Sequence, residues 1–343
     1  MKLASLIVAY APLVAAFNLA LYTNESVAPS PLPPSHAASD GEAIIKLFQN
    51  LGRSTVWKSI ANVTFEGDTH EPEGMLRLGE DRYVVSCGEY TEATKSFGSV
   101  INGTDRSPGA GLAHLIVFNA KGERIADATL TKEGAEEYHN GGIDFDGKHI
   151  WGTIAQYRPN STAYAYRADP LSLQPEKIVD YDDHLGGVVH DTDLNSITCL
   201  NWGSRNASTW DLDQLATGCA ATPSPSMVVR NPSYFVDYQD CKWLGHSDFY
   251  SGKSVMLCSG VATIGNYNLG GVALVDVATM TPLAEVPITM QSALGVRITQ
   301  NPVDVSIVDG KLRFYWLPDQ HNSTLYVYEA QPNSPFEFGG GLQ

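Results

Sequence analysis

The sequence is poor in basic residues. Lys and Arg together number 22 in a chain of 343 residues, against 38 Asp and Glu, so the formal net charge is −16. Nucleic acids and anionic membranes are bound through clusters of basic side chains. The charge balance therefore argues against both as partners. We expect a monomer that binds a small molecule or a glycan.

Several motifs of known chemistry are also missing. The five cysteines include no Cys-x-x-Cys pair and no spacing typical of a zinc site. The Gly-x-Ser-x-Gly elbow of an α/β-hydrolase does not occur. Gly141-Gly142 and Gly186-Gly187 precede strand-like sequence and lack a following Lys-Ser or Lys-Thr, so they do not predict a phosphate-binding loop.

Beyond its N-terminus, the chain has no apolar run long enough to span a membrane. Residues 1–16 predict a secretory signal peptide: Lys2 precedes the apolar run 3–13, and cleavage is expected after Ala16. We therefore expect a secreted, extracellular protein. Residues 17–39 are rich in Pro and Ser and predict a flexible leader, residues 40–332 a single domain, and residues 333–343 a flexible tail.

Sites for covalent modification agree with export. The chain has six Asn-x-Ser/Thr acceptors, which predict N-glycosylation at Asn24, Asn62, Asn102, Asn160, Asn206 and Asn322. Cys87, Cys199 and Cys258 lie inside apolar strand sequence and are predicted to be small buried residues. If a disulfide forms, we expect it between Cys219 and Cys241, which lie in loop or edge sequence.

A recurring hairpin motif predicts the fold. The stretch 139–148, His-Asn-Gly-Gly-Ile-Asp-Phe-Asp-Gly-Lys, has its opening repeated at 184–188 and its ending at 250–253 and 308–311. Five repeats with a spacing of about 55 residues are typical of four-stranded propeller blades. We predict an all-β fold, a five-bladed propeller. Six blades, or a β-sandwich or barrel pair built from similar hairpins, are the alternatives.

The two ends of the chain supply the closure of the ring. The fifth repeat has sequence for only three strands, while the run 56–65 is a strand with no neighbour in sequence. Adding this run to the fifth blade completes it and removes the free sheet edges. We attribute the Gly-Gly pairs to close packing between blades near the axis.

The histidines that begin the repeats predict a functional site. Loops entering the first strands of propeller blades gather at one mouth of the central channel. We expect this mouth to contain His70, Glu71, Glu73, His139, His184, His246, and Asn301 or Asp304. Arg158 and Arg205 follow the second strands of their repeats at nearly matching positions.

Convergent imidazoles beside a carboxylate suit acid–base catalysis or a divalent metal, or they fill a polar channel as structural residues. The predicted catalytic set is His139, His184 and His246, with Glu73 as an orienting carboxylate. Arg158 and Arg205 would anchor an anionic group such as a uronate. The sequence identifies no cofactor beyond the metal alternative.

This arrangement predicts a hydrolase or lyase that acts on a small or carbohydrate-like substrate. If the two arginines anchor the substrate, it is anionic. One alternative is a non-catalytic module that binds glycans or cell-wall material through exposed aromatic residues. Tyr157, Trp202, Trp243 and Trp316 could stack on sugar faces near the mouth, although such residues more often belong to the blade core. Another alternative is a cyclase or isomerase of fungal secondary metabolism.

Three longer motifs carry a family resemblance. They are Gly-Ile-Asp-Phe-Asp-Gly-Lys-His-Ile-Trp at 142–151, Asp-His-Leu-Gly-Gly-Val-Val-His-Asp-Thr at 183–192 and Asn-Trp-Gly-Ser-Arg at 201–205. With them the chain resembles, over residues 54–330, a family of exported fungal and bacterial proteins without assigned function. The resemblance implies a propeller-like fold and offers no catalytic residues to carry over to this chain. In its blade pattern alone the chain is similar to lactonase-like and NHL-like propellers, which include hydrolases, lyases, cyclases and binding modules.

Overall fold

A computed structural model describes residue 17 and residues 20–23, 25–52, 54–215, 224–233 and 237–331. These residues form five antiparallel sheets arranged as the blades of a propeller. The predicted five-bladed fold is confirmed, and the six-bladed and sandwich alternatives are wrong. Within the described ranges, no helix has the length and apolar character needed to cross a membrane. The predicted signal peptide lies outside them.

Each blade has four strands, the first of which is nearest the axis and the fourth outermost. Blade 1 contains Glu71–Arg77, Arg82–Glu92, Ala110–Asn119 and Arg124–Thr129, with Ala20–Thr23 as an additional outer strand. Blade 2 contains the short pieces His139–Asn140 and Asp144–Phe145, then Ile150–Ala155, Ala163–Ala168 and Pro175–Tyr181. Blade 3 contains Val188–Asp191, Ser196–Leu200, Asn206–Asp211 and Met227–Arg230. Blade 4 contains Asp237–Ser247, Lys253–Ile264, Tyr267–Asp276 and Pro282–Ile288. Blade 5 contains Val303–Val308, Lys311–Trp316, Thr324–Gln331 and Val56–Thr64.

Few elements lie outside the blades. A hairpin of Ser96–Ile101 and Thr104–Arg106 is inserted between the second and third strands of blade 1. The helical segments are Gly41–Phe48, Leu212–Leu215 and the 3-10 turn Trp202–Ser204.

The N-terminal strand closes the ring as predicted. Val56–Thr64 pairs antiparallel with Thr324–Gln331 and forms the outer strand of blade 5. Strands from the two ends of the chain thus share one sheet, so unfolding either end opens the last blade.

The Gly-Lys endings of the repeats are tight turns between first and second strands. Gly147, Gly252 and Gly310 have φ angles of 92°, 79° and 74°. Side chains rarely adopt this left-handed region, and glycine adopts it without steric cost. The recurring Gly-Lys pair therefore has a local structural cause.

The Gly-Gly pairs allow the first strands to approach one another at the axis. A Cβ atom on Gly142 would lie 2.5 Å from the carbonyl oxygen of Gln239, and one on Gly187 would lie 2.7 Å from the same oxygen. Any side chain there would force blades 2 and 3 away from blade 4. The attribution of these pairs to packing is confirmed.

A buried carboxylate joins four of the blades at the axis. Asp240, on blade 4, accepts backbone N–H groups from Met75 (3.1 Å), Ile143 (3.2 Å) and Val303 (2.9 Å). Lys242 donates to Asp240 Oδ1 at 2.6 Å and to the carbonyl of Ile143 at 2.7 Å. Both charged side chains are buried. Burial raises the pKa of Asp240, but every neighbour that contacts its carboxylate oxygens is a donor, which suits the ionised form.

The far end of the channel is covered by part of the predicted leader. Val27, Ala28 and Ser35 are buried, and His36 contacts Asp40 at 2.8 Å and Asp304 at 3.1 Å. Part of the predicted leader thus packs on the propeller, and its flexibility stays a prediction. The following helix, Gly41–Phe48, packs its apolar side chains on blades 4 and 5.

The cysteine pairing differs from the prediction. Cys241 forms a disulfide with Cys258, its direct partner on the neighbouring strand of blade 4. The predicted Cys219–Cys241 pair is wrong because Cys241 lies within the first strand rather than in a loop; Cys219 itself lies outside the described residues. Cys87 and Cys199 are free and buried, as expected.

The acceptor asparagines are placed where glycans could attach. Those in the described part of the chain, Asn62, Asn102, Asn160, Asn206 and Asn322, are all exposed, and Asn24 lies outside it. Their glycosylation stays a prediction.

Replacing Asp240 by Asn should cost about 3 kcal/mol or more of unfolding free energy, since it leaves the Lys242 charge buried without a counter-ion. The check is urea unfolding of Asp240→Asn beside Asp248→Asn, which alters an exposed turn residue and should change little. The double variant Asp240→Asn with Lys242→Met should recover part of the loss. Equal stability of the two single variants would refute this role for Asp240.

Candidate functional site

A cavity of about 390 Å³ opens at the end of the channel where the first strands begin. We call it the mouth cavity. It is lined by Glu71, Glu73, His139, Tyr157, His184, Trp202, Gly203, Asp237, Gln239, Val261, Thr263, Asn268, Gln300 and Asn301. Glu71, Glu73, His139, His184 and Asn301 were all predicted to lie here. Every blade contributes to its wall.

Three polar side chains form a row across blades 1, 2 and 3. The Oε2 atom of Glu73 lies 3.9 Å from Nε2 of His139, and the ring centres of His139 and His184 are 5.4 Å apart. Each is at most 5% exposed. Three successive blades thus bring a carboxyl group and two imidazoles together.

The orientation of His184 defines its tautomer. Its Nδ1 atom lies 2.8 Å from the carbonyl oxygen of Gln156, an acceptor only, so Nδ1 carries the proton. The unprotonated Nε2 atom of this cavity-lining residue is left to accept a proton. Burial lowers the pKa of His184 to about 4, which keeps the ring neutral near pH 7.

His139 and Glu73 have opposite pKa shifts. Burial and the neighbouring His184 hold the pKa of His139 well below its usual range. Burial, together with the charges of Glu71 and Asp240, raises the pKa of Glu73 well above its usual range. Both shifts favour the neutral form, so Glu73 is a proton donor beside an imidazole that is free to accept. Nδ1 of His139 is buried and has no hydrogen-bond partner among the described residues.

Glu71 is held in place at the rim. Its Oε2 atom accepts a short hydrogen bond from the hydroxyl of Tyr90, and its Oε1 atom accepts one from Gln320 at 2.7 Å. Burial raises the pKa of Glu71, and the two hydrogen bonds oppose the rise. Glu71 therefore has less freedom than Glu73 to take part in proton transfer.

Aromatic rings form one wall. Tyr157 and Trp202 lie in corresponding loops of blades 2 and 3, with ring centres 5.4 Å apart. The guanidinium carbon of Arg106 is 5.4 Å from the Tyr157 ring and 5.2 Å from the Trp202 ring. Tyr157 and Trp202 thus line the mouth cavity rather than the blade core, whereas Trp243 and Trp316 are buried core residues, as is more usual for such side chains.

The predicted placement of His246 at the mouth is wrong. The first strand of blade 4 begins at Asp237, and His246 is nine residues further along it, roughly 30 Å at about 3.3 Å per residue. There its Nε2 atom lies 2.9 Å from Asp191 Oδ2. Counting back from the Gly-Lys turn of blade 4 misplaces His246, because the first strand of this blade is longer than the first strands of the other blades. His190 also lies at the far end, 2.9 Å from Asp146.

The two predicted anion anchors do not line the mouth cavity. Arg158 donates to the side chain of Gln156 at 2.7 Å, and Arg205 forms a short ion pair with Asp237. No Lys or Arg is among the cavity-lining residues of the described chain. An anionic substrate group would therefore find no Lys or Arg among the described lining residues to pair with.

Two other predicted residues are also elsewhere. Asp304 lies at the far end with His36. His70 lines a neighbouring cavity of about 320 Å³, which shares Glu71 with the mouth cavity.

The sequence interpretation missed Asp237, Gln239 and Arg106. The first two begin the inner strand of blade 4, whose polar sequence does not look like a core strand. Arg106 belongs to the inserted hairpin, which has no counterpart in the other repeats. Only a repeat alignment that started blade 4 at Asp237 could have found the first two.

A metal ion is the alternative use of these side chains. Glu71, Glu73 and His139 place one ligand atom each within 4.8 Å of one another. Both oxygens of Glu71 already accept hydrogen bonds, which leaves two free ligands. Protein metal sites generally use three or four, so acid–base chemistry fits the row better.

Several solved structures are similar to this chain at low sequence identity and low TM-score. A luciferin-regenerating enzyme is 12% identical, with a TM-score of 0.40 over 82% of this chain and 98% of that one. The tail fibre of Staphylococcus aureus phage P68 is 8% identical, with a TM-score of 0.44 over 86% of this chain and 56% of that one. The WD40 domain of Toxoplasma gondii coronin is 8% identical, with a TM-score of 0.32 over 82% of this chain and 88% of that one. Nothing about function follows from these similarities.

Sequence comparison gives one match of another kind. No curated protein matches the chain. A model of a family of unknown function, DUF6454, matches residues 33–333.

Histidine NMR can test the geometry of the row without a substrate. We expect His184 to show a proton on Nδ1 and a pKa of about 4, because its Nδ1 atom is bound to a carbonyl and its ring is buried. The signal is assigned by its loss in His184→Asn. A proton on Nε2 at neutral pH, or a pKa near the ordinary value of about 6.5, would contradict the structure.

Proposed function

The chain belongs to the DUF6454 family of unknown function, and we propose that it is a hydrolase or lyase acting on a small, neutral, carbohydrate-like substrate in the mouth cavity. The contact row of Glu73, His139 and His184 is the observation on which the proposal rests.

The row supplies a proton acceptor and a proton donor on the same cavity wall. In a hydrolysis, Nε2 of His184 takes a proton from water as its oxygen attacks the substrate, and Glu73 protonates the leaving oxygen. In a lyase reaction, His184 takes the proton from carbon, and Glu73 again protonates the leaving group. His139 contacts both residues and would return the proton from His184 to Glu73.

Charge and shape support a neutral polar substrate. Besides the two histidines, the cavity is lined by carboxamides, by Tyr157 and Trp202, and by three carboxyl groups, of which Glu73 favours its neutral form and Asp237 is paired with Arg205. No Lys or Arg of the described chain lines it. Aromatic faces and amide groups suit a sugar-like ring with several hydroxyls. A uronate substrate fits less well, because the two arginines expected to bind its carboxylate do not line this cavity.

A glycan-binding module remains the second candidate, supported by the same aromatic wall. Binding by itself needs no donor–acceptor row. Burying an imidazole nitrogen without a hydrogen-bond partner, as for Nδ1 of His139 within the described residues, costs folding free energy that a binding module has no need to spend. This cost favours the enzyme.

Matched substitutions test the proposal. His184→Asn and Glu73→Gln should each lower turnover by about 10²- to 10⁴-fold, the range for a lost acid or base. His246→Asn, the same change at the far end of the channel, should leave turnover unchanged. The assay is a panel of neutral lactones and glycosides with uronate-containing oligosaccharides as charged comparators, and neutral members should be preferred.

The outcomes separate the candidates. Glycan retention without turnover, unaffected by His184→Asn and Glu73→Gln, would establish the binding module. A stoichiometric metal that is lost in Glu73→Gln would replace the acid–base assignment by a metal site.

The pH profile of kcat/KM should be bell-shaped. The base must be neutral, so activity falls as pH drops through about 4, where His184 becomes protonated. The acid must be protonated, so activity also falls at high pH, beyond the raised pKa of Glu73. Glu73→Gln should remove the high-pH limb from the residual activity. A profile with an acid limb near pH 6.5 would show that an unburied histidine is the base.

A further inference from the structure

A second cluster of histidines and carboxylates lies on blade 1, outside the mouth cavity. We call His70, Glu89 and His114 the blade 1 cluster. His114 is buried on the third strand, Glu89 lies on the second strand, and His70 directly precedes the first. His70 and Glu89 line the neighbouring cavity of about 320 Å³, so the cluster is accessible from solvent.

The ring of His114 is fixed by a carboxylate behind it. Its Nδ1 atom lies 2.9 Å from Oδ1 of Asp127, whose Oδ2 atom is 3.0 Å from Nη1 of Arg124. The Asp127–Arg124 pair keeps this carboxylate ionised, so Nδ1 of His114 donates the hydrogen bond. Nε2 then has its lone pair directed away from Asp127.

Nε2 of His114 faces a second acceptor. It lies 3.3 Å from Oε2 of Glu89. A lone pair and a carboxylate oxygen repel each other at this separation, so a proton or a metal ion must lie between them.

The position of His70 distinguishes these two possibilities. Its ring stacks on the ring of His114, with centres 4.9 Å apart and planes at 21°. One atom each from His70, Glu89 and His114 lies within 4.8 Å of the others. A single proton can lie between only two of these three atoms. A metal ion satisfies all three ligands at once.

We propose that His70, Glu89 and His114 bind a divalent transition metal ion such as Zn²⁺. Two imidazoles and one carboxylate are a common ligand set for Zn²⁺, with the fourth position held by water or another ligand. Asp127 has the place of the outer carboxylate that orients a metal-bound histidine. The neighbouring cavity provides access and room for the fourth ligand. This site is separate from the Glu73–His139–His184 row and does not depend on the proposed function.

Metal binding by the full chain tests the site. Protein stripped with a chelator and titrated with Zn²⁺ should bind one ion per chain, and its thermal unfolding temperature should rise. Co²⁺ in the same site should give visible absorption from imidazole and carboxylate ligands. Binding should weaken about tenfold or more in His70→Asn and in Glu89→Gln, two partly exposed positions where folding should be retained.

Two histidine variants are controls. His139→Asn changes the mouth cavity, and His149→Asn changes a blade 2 residue 3.9 Å from Asp146; neither should alter the stoichiometry or the Co²⁺ spectrum. The absence of a stoichiometric ion, equal affinity in His70→Asn and Glu89→Gln, or loss of the ion in His139→Asn alone would each overturn the proposal. A doubly protonated His114 at neutral pH in the presence of Zn²⁺, seen by NMR, would also overturn it.

Discussion

The buried carboxylate of Asp240 is the constraint on which the ring depends. A propeller must keep its first strands close around an axis where no regular hydrogen-bonded ladder joins one blade to the next. Asp240 supplies this connection through backbone N–H groups of blades 1, 2 and 5, and Lys242 neutralises it. The contacts are short only because Gly74 and Gly142 have no side chains: a Cβ atom on either would lie within 2.7 Å of backbone atoms of a neighbouring blade. The same charge reaches the site, since Asp240 is one of the groups that raise the pKa of Glu73. One buried ion pair thus contributes both to closure of the fold and to the protonation of the mouth cavity.

Features that depend on local sequence could be predicted. Tight turns at Gly147, Gly252 and Gly310 recur because each needs a left-handed residue, and the strand at 56–64 had no other partner than the last blade. Features that depend on the inner strand of blade 4 could not be predicted from the sequence. This strand has Asp240 and Lys242 facing the axis, so it lacks the apolar pattern by which core strands are recognised. For this reason the sequence-based prediction placed His246 at the mouth, and it assigned Cys241 to a loop and paired it with the wrong cysteine.

At the mouth, the sequence predicted the positions of side chains on or next to the rigid first strands better than those of long side chains in loops. Glu73 and His139 lie on first strands and His184 just before one, so the propeller geometry determines where their short side chains meet. Arg158 and Arg205 also occupy matching positions in successive repeats. Their side chains are long, however, and find partners nearby: Gln156 for one and Asp237 for the other. Repeat position therefore predicted the location of the loop but not the direction of a flexible side chain.

The two histidine clusters differ in what stands behind each ring, and this difference suits them to different chemistry. In the mouth cavity His184 donates to a neutral carbonyl, and His139 has no partner at Nδ1 within the described structure, so neither ring gains from a positive charge. Burial then keeps both neutral, which suits reversible proton transfer. In the blade 1 cluster Asp127 lies behind His114 and Glu89 in front of it, which increases the attraction for any cation placed between them. The carboxylate that accepts from His114 thus favours a cation bound to that ring, whereas the carbonyl that accepts from His184 leaves a neutral imidazole that can act as a base.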